Sequence, residues 1–448
     1  MKMKLTILFV VSGVLVGVRA EAQLILHELH AFTGFDAYGT SVDGIGDVDG
    51  DDFDDFLIGV PNFPPNQGNV FAYSGATGAV IHQMTYPNGP SGQFGRSISG
   101  AGDMDGDAVS DFIAGAPFNN TNGSDSGSVW VYSGTTSLPI HMLYGGVAGD
   151  FFGWSVSGAG DVNGDAYADF IVGAWGAGAD KGEATVFSGL DASVLYTFVG
   201  DAVGDGFGTS VSDAGDVNGD SVPDFIVGAP YSDANGVDSG LARVFSGATG
   251  AVLYTFVGDS AGDLFGGNIP GSPSRGVSDA GDVNGDGFAD VIVGAFRDDN
   301  TAMNSGSARV FSGVDGSILH TFNGDNAGDS LGYAVSGVGD INADGFDDLL
   351  VGAPGNDNVA LNSGLARILS GIDGQILATL VGVASNDQFG KALSDGGDIN
   401  GDSFADLVIA SPDRGGGFVY VYNGYELVPC VDGDMDGYGD PSSPQCTF

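Results

Sequence analysis

The apolar positions of this chain fall in short runs, and each run is preceded by an acid-rich loop. Residues 281–295 read GDVNGDGFADVIVGA: oxygen-bearing side chains at Asp282, Asn284, Asp286 and Asp290 give way abruptly to Val291, Ile292 and Val293. A short apolar run bounded by turn residues predicts a buried strand. The loop before it offers side-chain oxygens at its positions 1, 3, 5 and 9 and a backbone carbonyl at position 7, most of the six to eight oxygens that calcium takes. Gly285 and Gly287 permit the sharp turns such a loop needs. An EF-hand would require Glu at position 12, where this chain has Val293 inside the strand, so the loop is of another kind.

The unit recurs seven times, and repeats decide the fold before anything else does. The first loop acid returns at Asp47, Asp103, Asp161, Asp216, Asp282, Asp340 and Asp398 at near-equal intervals, the longest lying between Asp216 and Asp282. The predicted ligand sets are Asp47, Asp49, Asp51 and Asp55; Asp103, Asp105, Asp107 and Asp111; Asp161, Asn163, Asp165 and Asp169; Asp216, Asn218, Asp220 and Asp224; Asp282, Asn284, Asp286 and Asp290; Asp340, Asn342, Asp344 and Asp348; and Asp398, Asn400, Asp402 and Asp406. Three or four acids within nine residues repel one another unless a cation neutralises them. An oxygen-only set suits a hard cation such as calcium, and the loops lack the Cys and His that zinc prefers. The first two loops, with four carboxylates each, should bind most tightly. The sixth carries Ala343 where others have Gly.

An aromatic or Leu followed by Gly stands upstream of each loop: Tyr38-Gly39, Phe94-Gly95, Phe152-Gly153, Phe207-Gly208, Phe265-Gly266, Leu331-Gly332 and Phe389-Gly390. Gly-Ala-Pro or a variant stands downstream. These two signatures around a calcium loop resemble the FG-GAP repeat, the blade unit of the integrin alpha-subunit propeller, from about residue 24 to residue 424. The resemblance implies an all-β, seven-bladed β-propeller with four antiparallel strands per blade. Integrin propellers carry such loops in some blades, whereas all seven have one here. The chain begins with a segment like the last strand of a unit (residues 24–29, alike to 193–198, 251–256 and 317–322) and ends on a third strand (418–422). The ring is therefore expected to close by the N-terminal strand completing the last blade, which would leave no exposed sheet edge between its ends. In that arrangement the calcium loops and the tight turns such as 246–250 share one face. The irregular segments 117–128, 175–183, 230–241 and 296–307, and an eight-residue insertion near 268–275, share the other. Binding residues concentrate on variable loops held by a rigid scaffold, so that second face is the expected binding surface.

Composition narrows the remaining choices. The 80 Gly and 16 Pro recur with the repeat and so mark turns rather than disorder. Residues 1–22, with Lys2, Lys4, an apolar stretch and Ala20-Glu21-Ala22, read as a secretory signal peptide, and no later apolar run reaches the roughly 18 residues that cross a bilayer. A net charge of −46 repels nucleic acid and anionic membranes. Domains are expected at 1–22, 23–425 and 426–448. The last is a tail in which Asp432, Asp434, Asp436 and Asp440 repeat the oxygen frame between Cys430 and Cys446; it resembles a thrombospondin type 3 repeat, with an eighth calcium and a disulfide implied.

His27, His82, His141 and His320 share one repeat register, as do Arg243, Arg309 and Arg367, which assigns them to structure, since side chains spread around a ring cannot meet at one substrate atom. Phe63, Phe118, Trp175, Tyr231 and Phe296 follow the Gly-Ala-Pro signature and are expected to cap the blades, with a ligand-gripping ring as the alternative. The expected protein is a secreted or cell-surface calcium-binding monomer and not an enzyme, an adhesion or recognition module for an extracellular protein or polysaccharide. A polysaccharide lyase or hydrolase, or a structural spacer, are the other readings.

Overall fold

A computed structural model describes residues 25–31, 37–63, 68–86, 92–267 and 275–427. The leader, most of the insertion, and the tail loop with its two cysteines lie outside them. The fold is seven separate four-stranded antiparallel sheets. Each of the first six runs in chain order; blade 4, for example, is Ser210–Gly215, Asp224–Ala229, Leu241–Phe245 and Val252–Val257. The seventh joins Ala392–Gly397, Asp406–Ser411 and Phe418–Tyr422 to Ile25–His30, whose His27 lies opposite Val421 and Leu29 opposite Val419. The first strands of successive blades pack on one another around an axis, and Ser41–Gly46 of blade 1 also packs on Ala392–Gly397 of blade 7.

Sequence explains the layering. The second strand of every blade is buried along its whole length, as its unbroken apolar run requires, whereas the fourth strands alternate in exposure because one face meets water. Fourth strands begin one residue later than expected, at Val194, Val252 and Ile318. The carbonyls of Ser193, Ala251 and Ser317 are still engaged in the preceding turn, accepting from the N–H groups of Ser188, Ser246 and Ser312.

The two glycine signatures have one physical cause. A Cβ on the Gly-Ala-Pro glycine of blade 4, Gly228, would lie 1.6 Å from the carbonyl oxygen of Gly266 in the next blade, and Gly59, Gly115, Gly173, Gly294 and Gly352 meet the next blade's glycine carbonyl in the same way. Adjacent blades thus touch backbone to backbone at this level. Seven hydrophobic clusters fill the spaces between neighbouring sheets: one joins Ile171 and Val186 of blade 3 to Phe225 and Val227 of blade 4.

The repeated histidines stitch blades together. The Nε2 atoms of His27, His82, His141 and His320 contact the carbonyls of Gly75, Gly134, Gly189 and Gly371, each in the turn of the following blade, and the Tyr254 hydroxyl donates to Gly313 at the equivalent place. Arg243, Arg309 and Arg367 pair with Asp201, Asp259 and Asp325 on the connection entering their blade. Both registers are structural.

Candidate metal centres and the opposite face

Each acid loop joins the first strand of a blade to the second. In blade 1 the Asp47 carboxylate closes the loop on itself: Oδ1 accepts from Gly50 N at 2.7 Å and Asp51 N at 3.2 Å, and Oδ2 from Asp52 N at 2.9 Å. This forces a left-handed backbone at positions 4 and 6 of every loop. Glycine meets it at Gly285 (φ 73°) and Gly287 (φ 86°), but Ala343, Ala108, Ala166 and Ser221 adopt it without being glycine, and such residues carry backbone strain. In the sequence only Ala343 stands out among them, as the one residue in place of Gly at position 4.

The ninth position is the most constrained. Asp55, Asp111, Asp169, Asp224, Asp290, Asp348 and Asp406 are all 0% exposed. Oδ1 of each accepts an N–H from the turn between the third and fourth strands, at Gly75, Gly134, Gly189, Gly247, Gly313, Gly371 and Gly424 (in blade 7, the second residue after the third strand). Oδ2 accepts from position 2 of its own loop in blade 1, at Val48, and likewise at Met104, Val162, Val217 and Val283. Burial pushes these acids up, to about 6 in Asp55, Asp111, Asp169 and Asp224 and to about 7 in Asp290, Asp348 and Asp406, against the pull of their hydrogen bonds. A bound cation would reverse that shift.

Two loops bring three carboxylates together. Asp47, Asp49 and Asp55, and Asp103, Asp105 and Asp111, each place ligand oxygens within 4.8 Å of one another. In three of the five loops with Asn at position 3 the amide points at the ninth residue: Asn163 Nδ2 lies 3.4 Å from Asp169 Oδ1, Asn218 Nδ2 3.1 Å from both Asp224 oxygens, and Asn400 Nδ2 2.9 and 2.8 Å from those of Asp406. Rotating the amide presents its oxygen to the same point. In blade 6 the Oδ2 atom of Asp348 is buried with no hydrogen-bond partner. A cation beside the ninth carboxylate would satisfy these groups, so the donor set fits a hard, oxygen-preferring ion. At the fifth position Asp165 accepts from Ser188 and Asp402 from Asn423.

A third acid group, Asp259, Asp263 and Asp298, sits on the opposite face, the expected binding surface, where no metal site was expected from the sequence. Arg309 already fills it, bonding Asp259 at 2.5 Å and Asp298 at 3.2 Å, while Asn300 donates to both. On the axis Arg275 reaches across from blade 5 to Asp43 of blade 1 at 2.7 Å, and Ser394 of blade 7 donates to the other Asp43 oxygen at 2.6 Å. Burial and the charge of Asp213 push the nearby Asp279 up to about 7, and burial and the charge of Asp43 push Asp395 up to about 6.

The residues after the Gly-Ala-Pro signature do cap the blades. Trp175 stacks on Phe151 at 4.9 Å, Phe118 packs edge-on against Phe151 and Trp154, and Phe296 meets Tyr333. No helix of the described residues is long and apolar enough to cross a membrane.

The FG-GAP repeat family model matches residues 94–132, 152–187, 207–245, 331–369 and 393–422, which are blades 2, 3, 4, 6 and 7. Integrin alpha-V of Gallus gallus is 29% identical over 225 residues, covering 47% of this chain and 21% of its own length. Integrin alpha-PS5 of Drosophila melanogaster is 30% identical over 290 residues, covering 58% of this chain and 27% of its own length. The chain therefore spans about a quarter of the length of these relatives. A crystal structure of BBS1N in complex with ARL6DN, soaked with lead, superposes with a TM-score of 0.55 over 91% of this chain and 97% of that one, at 11% identity, a likeness of fold alone. The chain is a seven-bladed propeller, five of whose blades match the FG-GAP repeat model, and its sequence is integrin alpha-like.

Proposed function

We propose that this propeller is a calcium-loaded recognition module exported by residues 1–22, which grips an extracellular protein through the face opposite its acid loops. The observation that carries the reading is the ninth-position carboxylate. In all seven blades a fully buried acid is held by the turn that follows the third strand, and in five of them by its own loop as well, with other acids crowded beside it. Burying a charge without a counter-charge is costly, and repeating it in every blade is intelligible when a cation completes each loop. The proposed ligands are the side chains at positions 1, 3, 5 and 9 of each loop, with Asp432, Asp434, Asp436 and Asp440 as an eighth set in the tail. Calcium there would stiffen one face and leave the other, with its irregular loops, to meet a partner. The likeness to integrin alpha subunits supports recognition over catalysis, as does the role of the repeated histidines and arginines between blades.

Calorimetric titration of chelator-treated protein with calcium tests the metal. About one ion per blade is expected, with a melting temperature that rises with free calcium by mass action. A protein that takes up no calcium and melts identically in excess chelator overturns it. Capture of extracellular proteins and of polysaccharides on the immobilised protein, with calcium and with chelator, tests recognition separately.

A further inference from the structure

The acid loops, 1 to 7 in chain order, touch one another across the blade boundaries. At four boundaries the residue at position 8 donates its N–H to the carbonyl of the first acid in the preceding blade's loop: Asp54 to Asp398 at 3.1 Å, Ala168 to Asp103 at 2.9 Å, Ala289 to Asp216 at 3.2 Å and Asp347 to Asp282 at 3.3 Å. The same four boundaries carry a second contact. There position 7 is aromatic, and its ring covers position 4 of the preceding loop: a Cβ on Gly401, Gly106, Gly219 or Gly285 would lie 2.8, 3.0, 2.5 or 2.6 Å from Phe53, Tyr167, Phe288 or Phe346 respectively. Where position 8 is Asp the link is doubled, because Asp54 and Asp347 also accept the N–H of Asp398 and Asp282 through Oδ2, both at 2.7 Å.

The other three boundaries lack the backbone bond. Between blades 3 and 4 position 8 is Pro223, which has no N–H to give. Its counterparts Ser110, between blades 1 and 2, and Ala405, between blades 6 and 7, make no such bond among the described residues. The ring contact fails at the same places. Position 7 is Val109 in loop 2 and Val222 in loop 4, and a Cβ on Gly50 or Gly164 of the preceding loops would meet nothing within 4 Å. In loop 6 position 4 is Ala343, whose methyl excludes a ring so close, and Phe404 of loop 7 stacks on Tyr425 at 4.2 Å. The circle of loops is thus cut into three blocks: 7 with 1, 2 with 3, and 4 with 5 and 6.

We infer that calcium binds this propeller cooperatively within each block and independently between blocks, so that the seven loops fill in three steps. The inference rests on the calcium reading of the loops and adds the wiring between them. A loop must be ordered before it holds an ion, and the entropy lost in that ordering weakens the binding. Position 8 adjoins the buried ninth acid, and position 1 is the acid whose carboxylate closes the loop on itself. An ion that fixes loop 3 therefore also fixes the Ala168 N–H and the Tyr167 ring, which hold the Asp103 carbonyl and cover Gly106 of loop 2. Loop 2 then has less freedom left to lose, and its ion binds more tightly. Linkage makes the effect reciprocal, by the same factor in each direction, and no movement of whole blades is required. The block of loops 7 and 1 lies where Ile25–His30 joins the last blade, so its two ions act as one unit at the meeting of the chain's ends.

Hydrogen exchange read by mass spectrometry on the full chain, over a series of buffered free calcium concentrations, gives each loop its own binding midpoint. Asp105→Ala weakens the loop 2 site, whose two neighbours differ: loop 3 is linked to it and loop 1 is not. The midpoint of loop 3 should rise at least about fivefold, the low end of typical coupling between sites, while those of loops 1 and 4 stay in place. Asp165→Ala, acting on loop 3, should raise the midpoint of loop 2 by the same factor and leave loop 4 alone. Tyr167→Val with Ala168→Pro copies Val222-Pro223 of loop 4, and in that background D105A should no longer move loop 3. The reverse graft, Val222→Tyr with Pro223→Ala, should make loop 4 sensitive to D165A. Equal shifts of loops 1 and 3 in D105A, no shift of loop 3, or a shift that survives Y167V/A168P overturns the inference and leaves the calcium sites standing. Exchange that ignores calcium in every loop of the wild type overturns the calcium reading, and this inference with it.

Discussion

Gly228→Ala probes the contact on which the blade arrangement depends. The added methyl would sit 1.6 Å from the oxygen and 2.6 Å from the carbon of the Gly266 carbonyl in the next blade. Real Cβ atoms essentially never approach another heavy atom closer than 3.0 Å, so the two backbones must separate or the strand must bend. No rotamer change can relieve the clash, because the obstacle is main chain. Overpacking a core typically costs about 1–3 kcal/mol, and a rigid backbone obstacle belongs at or above the top of that range. Unfolding entropy of about 2.1 cal/mol/K per residue over 448 residues comes to about 0.9 kcal/mol/K, so about 3 kcal/mol lowers Tm by about 3 °C. Gly146→Ala is the control: a Cβ there meets nothing within 4 Å and the backbone φ is ordinary, so the change should be neutral or stabilise by about 0.4–1 kcal/mol through the unfolded chain. Differential scanning calorimetry of both variants, at fixed free calcium, gives the comparison. If G228A melts within a degree of G146A, adjacent blades are not in backbone contact at this level and the explanation of the two glycine signatures fails.

Other changes separate effects that look alike in sequence. Arg309→Met removes the partner of Asp298, whose side chain is 1% exposed, and should cost about 3 kcal/mol in a denaturant titration; Arg243→Met faces Asp201, 60% exposed, and should cost under about 1 kcal/mol. Asp105→Ala should lower calcium stoichiometry by one site with little loss of stability, since Asp105 is exposed and accepts only from Asp107 N, whereas Asp111→Ala should lose both, because Asp111 also holds Met104 and Gly134. Burial and the neighbouring Asp213 hold Asp279 up at about 7. A carboxyl raised on folding stabilises below its unfolded pKa of about 4 and loses that contribution as pH rises through 7, so the fall in Tm between pH 5 and pH 8 should be shallower in Asp279→Asn.

The repeat was legible because its signals are local. The apolar run after each loop fixed the second strand, and the spacing of oxygens at 1, 3, 5 and 9 marked the loop whose ninth acid is now seen wholly buried. The shared register of the histidines was enough to exclude a common catalytic centre, although their bonds to the next blade's turn carbonyls depend on how sheets stack. What sequence did not show comes from residues that meet only across the ring. Asp43 occupies a register that is Ser in the other six blades, and Arg275 is the last residue of the insertion; nothing local connects the two, which lie 232 residues apart.

Ile25–His30 has a temporal consequence. This is the earliest described strand to be synthesised, yet its only sheet neighbour is Phe418–Tyr422, among the last. Throughout translation it must therefore wait, half-apolar and without a bonding neighbour, while six complete sheets form between it and its mate. A circular permutant that begins at blade 1 and carries this strand at its far end should therefore assemble faster than the natural order.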